Sequence, residues 1–132
     1  MAVGTFRLGS PRRSGEGLRL GTVRFLPRGV RSEDYARLDL FDVWLPTLAP
    51  SPETMKAFRA GERTARDWKR FVAAYTAEMA KTDPRQVIQA LAALSRTARF
   101  GVGCFCEEEA SCHRSILIGL LAAAGAEVEG GG

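Results

Sequence analysis

Histidine and lysine are nearly missing from this sequence: 132 residues hold one His and three Lys, at Lys56, Lys69 and Lys81. Cysteine is almost as scarce, and its three copies all fall between Cys104 and Cys112. Three clustered cysteines are not a distributed disulfide framework; they suit a reducing compartment and a local site, so a cytoplasmic protein is expected. No apolar run approaches the roughly 18–20 residues needed to span a bilayer. The opening Met-Ala-Val-Gly-Thr-Phe-Arg has no basic segment followed by an apolar stretch, so neither a membrane partner nor a secretory leader is expected. Internal repeats are absent too, which excludes solenoid and propeller architectures.

What is present is the balance of one globular domain. Apolar residues make up 45% and charged residues 26%, a mix able to bury a core without staples. The expected organisation is a single domain over residues 1–129 followed by a glycine tail at 130–132. The net charge of +4 is mild, but nearly all of the basic residues are Arg. Arginine suits bidentate recognition of phosphate or carboxylate, although genome composition also produces Arg richness.

Short segments at Val3–Leu8 and Leu18–Phe25 read as strands, separated by a Ser/Pro/Arg/Gly loop. Ser32 can cap a short helix, and the apolar run Leu38–Leu45, closed by Pro46, reads as a third strand. Ser51-Pro52-Glu53 has the form of a helix start: a capping hydroxyl, Pro at the first helical position and an acid in the first turn. Trp68, Phe71, Val72, Tyr75 and Met79 recur at helical spacing between Arg66 and Ala80, and this aromatic stripe is expected in the core. Another helix opens at Asp83-Pro84. A strand over Ala98–Cys106, a polar loop Glu107–Ser111 and an apolar helix from Cys112 follow, with Ala126–Glu129 as a final edge strand. Strand and helix alternate, so the expected fold class is α/β: a single compact domain, mainly a parallel sheet of about four or five strands with helices on both faces.

In such sheets ligands collect beyond the carboxyl ends of the strands, where the segment Cys104–Ser115 falls. It holds every cysteine and the only histidine. Cys112, His113 and Arg114 would form a first helical turn, where unpaired backbone N–H groups and the helix dipole favour an anion. Arg114 would add a forked donor, Ser111 and Ser115 hydroxyls, and His113 a proton shuttle. Two chemistries compete with anion binding. Thiol chemistry would use Cys112 or Cys106, activated by the helix terminus, with Cys112 and His113 the catalytic candidates. A metal site would use Cys104, Cys106, Cys112 and His113. The spacing is not a common zinc signature and adjacent Cys-His ligands are awkward to aim at one ion, so neither zinc nor any other cofactor is expected. The plainest alternative is that Cys104 and Cys106 are small buried hydrophobes. A second basic stretch, Arg24-Phe-Leu-Pro27-Arg28-Gly29, places Arg24 and Arg28 at the exit of a strand.

Taken in order, Gly17-Leu-Arg19, Arg24-x-x-Pro27-Arg28-Gly29, Trp44-Leu45-x-x-Leu48-Ala49-Pro50-Ser51 and Trp68-x-x-Phe71-x-x-x-Tyr75-x-x-Glu78 resemble the domain-of-unknown-function 488 family (DUF488), in its YeaO-like branch. The resemblance runs roughly from Phe6 to Leu121, and Cys112-His113-Arg114 is similar to the Cys-His-Arg of that family. Where the branch usually carries Asp-Arg and Trp-Pro-Arg-Gly, this chain has Val23-Arg24 and Leu26-Pro27-Arg28-Gly29, and Pro46-Thr47 replaces a common Lys-Asp. The resemblance implies a compact α/β fold in a cytoplasmic bacterial or archaeal protein, and it draws attention to Arg24, Arg28 and Arg114. The expected function is a site for an anionic, phosphate-bearing small molecule, formed where the Arg24–Gly29 and Glu107–Arg114 loops meet. The alternative from a different class is a nucleic-acid or protein-binding module without catalysis.

Overall fold

The computed structural model describes residues 1–26, 28–106 and 112–129. Pro27, the loop from Glu107 to Ser111 and the glycine tail lie outside the described residues. Four strands, β1 (Val3–Arg7), β2 (Leu18–Gly21), β3 (Val43–Trp44) and β4 (Phe100–Cys104), join in one sheet ordered β1-β4-β2-β3. Every pairing is parallel, with Arg7 opposite Cys104, Gly21 opposite Gly103, and Leu20 opposite Val43. All the carboxyl ends therefore point the same way, and β4 sits between β1 and β2. With four α-helices among the described residues, α1 (Pro52–Ala60), α2 (Ala65–Met79), α3 (Thr82–Leu94) and α4 (His113–Ala123), the chain is a single α/β domain.

The helices begin where local chemistry places them. Ser51 caps α1, its hydroxyl accepting from the Thr54 N–H at 3.2 Å, and Pro52 occupies the first turn. Thr64 and Asp67 form a reciprocal capping box on α2, each satisfying a backbone N–H of the other. Phe71, Tyr75 and Met79 on α2 join Ile88 and Leu91 on α3 and Leu117 and Leu121 on α4 in one buried cluster against Val3, Leu20, Phe100 and Val102 of the sheet. Burying each such side chain contributes about 1.5–3 kcal/mol, so the aromatic stripe acts as core.

The other sheet face is covered differently. Phe6 lies across Gly101 and Gly103, and Phe41 lies over Gly21. A Cβ on Gly103 would stand 2.6 Å from the Phe6 carbonyl oxygen, so only glycine lets the strands and the ring pack this closely. Above Phe6 sits the Arg19 guanidinium, 4.6 Å from the ring centre and 1% exposed, paired with the Glu16 carboxylate. It also donates to the carbonyls of Asp39 and Pro11, pinning the two loops that cross this face. On this face Tyr35, Leu40 and Phe41 pack with Phe6, Leu8 and Val23.

Expected strands come out shorter: Leu18–Phe25 pairs only as far as Gly21, and Ala98–Cys106 only over Phe100–Cys104. Of Leu38–Leu45 only Val43 and Trp44 pair, because Asp39 takes φ 59° and turns the chain while Phe41 folds inward. The Asp42 carboxylate then accepts the Arg19 N–H at 2.8 Å and a two-pronged contact from Arg12. Ala126–Glu129 makes only a bridge to β1, held by Val3 N–H to Glu127 O and Glu129 N–H to Val3 O. No helix among the described residues is long and apolar enough to cross a membrane.

Candidate functional site

Beyond the carboxyl ends of β2 and β4, the chain gathers three sulfurs, one imidazole and one buried guanidinium. Cys104 is the last residue of β4, Cys106 follows two positions on, and Cys112 is the cap residue of α4. Cys104 and Cys112 are buried, within an apolar nest of Phe6, Leu8, Val23 and Phe41, whereas Cys106 is exposed. The Sγ atoms of all three lie within 4.8 Å of one another. Those of Cys104 and Cys112 are at bonding contact, while their Cα atoms stand 8.0 Å apart. The Cys106 N–H donates to Cys104 Sγ at 3.4 Å.

His113 opens α4 and is turned away from solvent toward β2. Its Nε2 is 2.7 Å from the Thr22 carbonyl oxygen and 3.2 Å from Thr22 Oγ1, whose own proton goes to Gly103 O at 3.0 Å. A carbonyl only accepts, so Nε2 carries the ring proton and Nδ1 presents a lone pair. That Nδ1 lies 3.7 Å from Cys112 Sγ. Burial pushes the imidazole pKa down to about 4; the Thr22 contact works against this and the neighbouring Arg114 charge adds to it. The ring is therefore neutral at pH 7. Tyr75 packs edge-on against it at 5.5 Å, and the Tyr75 hydroxyl, its pKa raised by burial, donates to Leu48 O at 2.7 Å.

Arg114 is buried, and its guanidinium points inward. Nη1 donates to Phe6 O and Nη2 to Cys106 O, both at 2.7 Å, which ties the start of α4 to β1 and to the exit of β4. It supplies positive charge beside Cys112 while bracing the backbone that carries Cys106. Ser115 turns back on its own helix, its hydroxyl donating to Cys112 O at 2.8 Å. Ser111 lies outside the described residues.

The second basic stretch is built into another junction. Arg24 donates from Nε to Pro50 O at 3.2 Å and from Nη2 to Ala49 O at 2.9 Å, at the entry to α1. Arg28 is exposed. The Leu48–Ser51 motif is thus gripped by Tyr75, Arg24 and Glu78, whose carboxylate accepts from the Ser51 N–H, Ser51 Oγ and Thr54 Oγ1 at 2.9, 2.6 and 2.6 Å. The structure brings Cys104, Cys106, Cys112, His113 and Arg114 together, and places Arg24 against the α1 entry. Thr22 was not singled out in the sequence. The sequence places it inside the expected strand Leu18–Phe25; only the end of β2 at Gly21 puts it at a strand exit, where ligands gather.

None of the curated proteins and none of the solved structures matches this chain. A family model described as "Active DUF488-N3 subclade" matches residues 3–125, nearly the whole chain and all of the cluster above. The chain belongs to the DUF488 family.

Proposed function

We propose that the protein, with the Cys104–Cys112 sulfur contact reduced, acts through the Cys112 sulfur as a thiolate on a small anionic, phosphate-bearing or carboxylate-bearing substrate, with neutral His113 orienting that sulfur. One observation carries this reading: the chain from Thr22 through His113 to Cys112, in which a backbone carbonyl fixes the ring proton on Nε2 and leaves Nδ1 facing the sulfur. The carbonyl fixes the ring and the ring in turn faces the nucleophilic sulfur, an ordered positioning of the reacting group. Cys112 also caps α4, where the positive end of the helix favours thiolate over thiol, and the Arg114 charge adds to that field. The same field draws an anionic substrate, and Ser111, Ser115 and Arg28 are the residues proposed to hold it. As the thiolate sulfur bonds to the electrophilic atom, the leaving group departs with the bonding pair. A thiol of this kind belongs in a reducing compartment, and the cytoplasm is the proposed location.

The test compares iodoacetate with iodoacetamide on reduced, metal-free protein, with each cysteine followed by peptide mass spectrometry. Cys112 should take the anionic reagent at least as fast as the neutral one, phosphate should compete, and His113→Gln should slow Cys112 about 10–100-fold. Alkylation of Cys112 no faster than in the urea-unfolded chain overturns the reading.

A nucleic-acid-binding module is favoured by one other face. Phe25, 64% exposed, lines a groove with Met55, Lys56 and Arg59, joining an aromatic ring to two cations. Affinity for random oligonucleotides that falls steeply with salt would support it.

A further inference from the structure

The three sulfurs have a geometry that thiol reactivity does not explain. A disulfide ordinarily holds its Cα atoms about 4.4–6.8 Å apart. Cys104 and Cys112 bring their sulfurs together from Cα positions 8.0 Å apart, wider than that span. Around a bound ion the two sulfurs would draw apart, which their wide Cα spacing accommodates. With zinc–sulfur bonds of about 2.3 Å and tetrahedral angles, two ligand sulfurs sit about 3.8 Å apart, so their Cα atoms stand correspondingly further apart than in a disulfide.

We propose that Cys104, Cys106 and Cys112 together form a three-thiolate site for a thiophilic divalent ion of the zinc class, with no fourth protein ligand among the described residues. The site shares the Cys112 sulfur with the function proposed above but rests on different observations. All three Sγ atoms already lie within 4.8 Å of one another, two from the exit of β4 and one from the start of α4. The Cys106 N–H aimed at Cys104 Sγ is the kind of outer contact that orients and stabilises a metal-bound thiolate. Three thiolates and one divalent ion leave a net negative charge, and the positive end of α4 and the buried Arg114 lie beside it. Arg114 also fixes the Cys106 carbonyl, which makes it a positioning residue for the exposed ligand.

The expectation of no zinc rested on His113 having to share an ion with its neighbour Cys112. The structure removes that difficulty, since His113 directs Nε2 at Thr22 and is not among the mutually close ligand atoms. Three sulfurs suffice for a site that keeps one position open.

The experiment titrates reduced, metal-stripped full-length protein with zinc(II) against a competing chromogenic chelator, and with cobalt(II) as a spectroscopic stand-in. One ion per chain should bind, and cobalt should show sulfur-to-metal charge-transfer absorption with the visible bands of a tetrahedral site. Cys106→Ser changes an exposed side chain, so it should fold normally, lose part of the charge-transfer intensity and bind at least about tenfold more weakly. His113→Gln should leave the cobalt spectrum in place. No stoichiometric binding overturns the inference, as does a Cys106→Ser protein with unchanged spectrum and affinity. A protein that binds no ion yet alkylates rapidly at Cys112 loses this inference alone. One that binds the ion but shows no enhanced alkylation supports it and fails the thiol reading.

Discussion

His113 Nε2 stands 2.7 Å from the carbonyl oxygen of Thr22, so the first residue of the last helix is fastened to the exit of the second strand across 91 positions of sequence. The fixed proton on Nε2 follows from the carbonyl and not from the threonine hydroxyl. Thr22→Val should therefore separate stability from reactivity. It removes the hydroxyl bond to Gly103 O and leaves that buried carbonyl one partner short, costing about 1–2 kcal/mol. Cys112 alkylation should stay within about threefold of wild type, because the backbone contact that sets the tautomer survives. Chemical denaturation and peptide-resolved alkylation on the same preparation check both halves. A collapse of alkylation with little loss of stability would place the control in the hydroxyl.

Arg114 should matter to folding more than a ligand-facing arginine would. Both terminal nitrogens donate to backbone carbonyls, Phe6 O and Cys106 O. Arg114→Ala strips both acceptors of a charged donor in a buried setting and should destabilise by about 2–4 kcal/mol. Arg114→Lys should recover only part of this, since one ammonium cannot reproduce the forked contact. Urea midpoints at constant slope are the measurement. A loss below about 0.5 kcal/mol in the alanine variant would mean that the inward contacts carry little.

Gly103→Ala tests the sheet face beneath Phe6. The new methyl would meet the Phe6 ring and its carbonyl oxygen, each at 2.6 Å, and the carbonyl belongs to the paired strand, which cannot swing aside. The expected cost is about 1–3 kcal/mol, the scale of overpacking. Gly119→Ala, with open space around the added methyl, is the control and should be neutral or mildly stabilising. Thermal melts of the two variants beside wild type decide it.

Much of this architecture was legible in the chain. The α2 stripe, the Ser51 cap, the Asp83-Pro84 region and the strand-then-helix order around Cys104–Cys112 follow from local periodicity and capping chemistry, which depend on near neighbours. The features that depend on distant partners were not. The direction of Arg114 is set by the Phe6 carbonyl on β1, 108 positions away, and by the Cys106 carbonyl just past β4. Arg24 is held at the entry to α1 by Ala49 and Pro50, so a charge at a strand exit gave no hint of where its fork would go. Convergence of the three sulfurs needs the exit of β4 and the start of α4 side by side, which spacing alone does not specify. The edge run Leu38–Leu45 misled because apolar residues fit an inward-folded loop as well as a strand, and the turn at Asp39 decides between them.

The last prediction concerns acid. Burial pushes the Glu78 carboxyl up, but hydrogen bonds from Ser51 and Thr54 outweigh it and hold the group below its ordinary value. Asp42 behaves alike: burial raises it, while Arg12 and the Arg19 N–H together lower it further. A carboxylate whose pKa is depressed in the folded state binds fewer protons there than in the unfolded chain. Its contribution to stability is therefore complete above the unfolded pKa, near 4, and is lost as pH falls through the folded value. Stability should start to fall below about pH 6.5, where the unfolded chain protonates His113 and the buried ring stays neutral, and decline further below about pH 4 as these carboxylates protonate. Glu78→Gln should lower stability at pH 7 by about 1–2 kcal/mol, by weakening charge-assisted bonds to three donors at the α1 cap. It should also flatten the acid decline, because the substituted amide no longer takes up a proton. Urea midpoints for wild type and Glu78→Gln between pH 7 and pH 3 test both points. Parallel curves across the whole range would show that Glu78 is not one of the groups linking folding to pH, and the grip on Leu48–Ser51 would then rest on Arg24 and Tyr75.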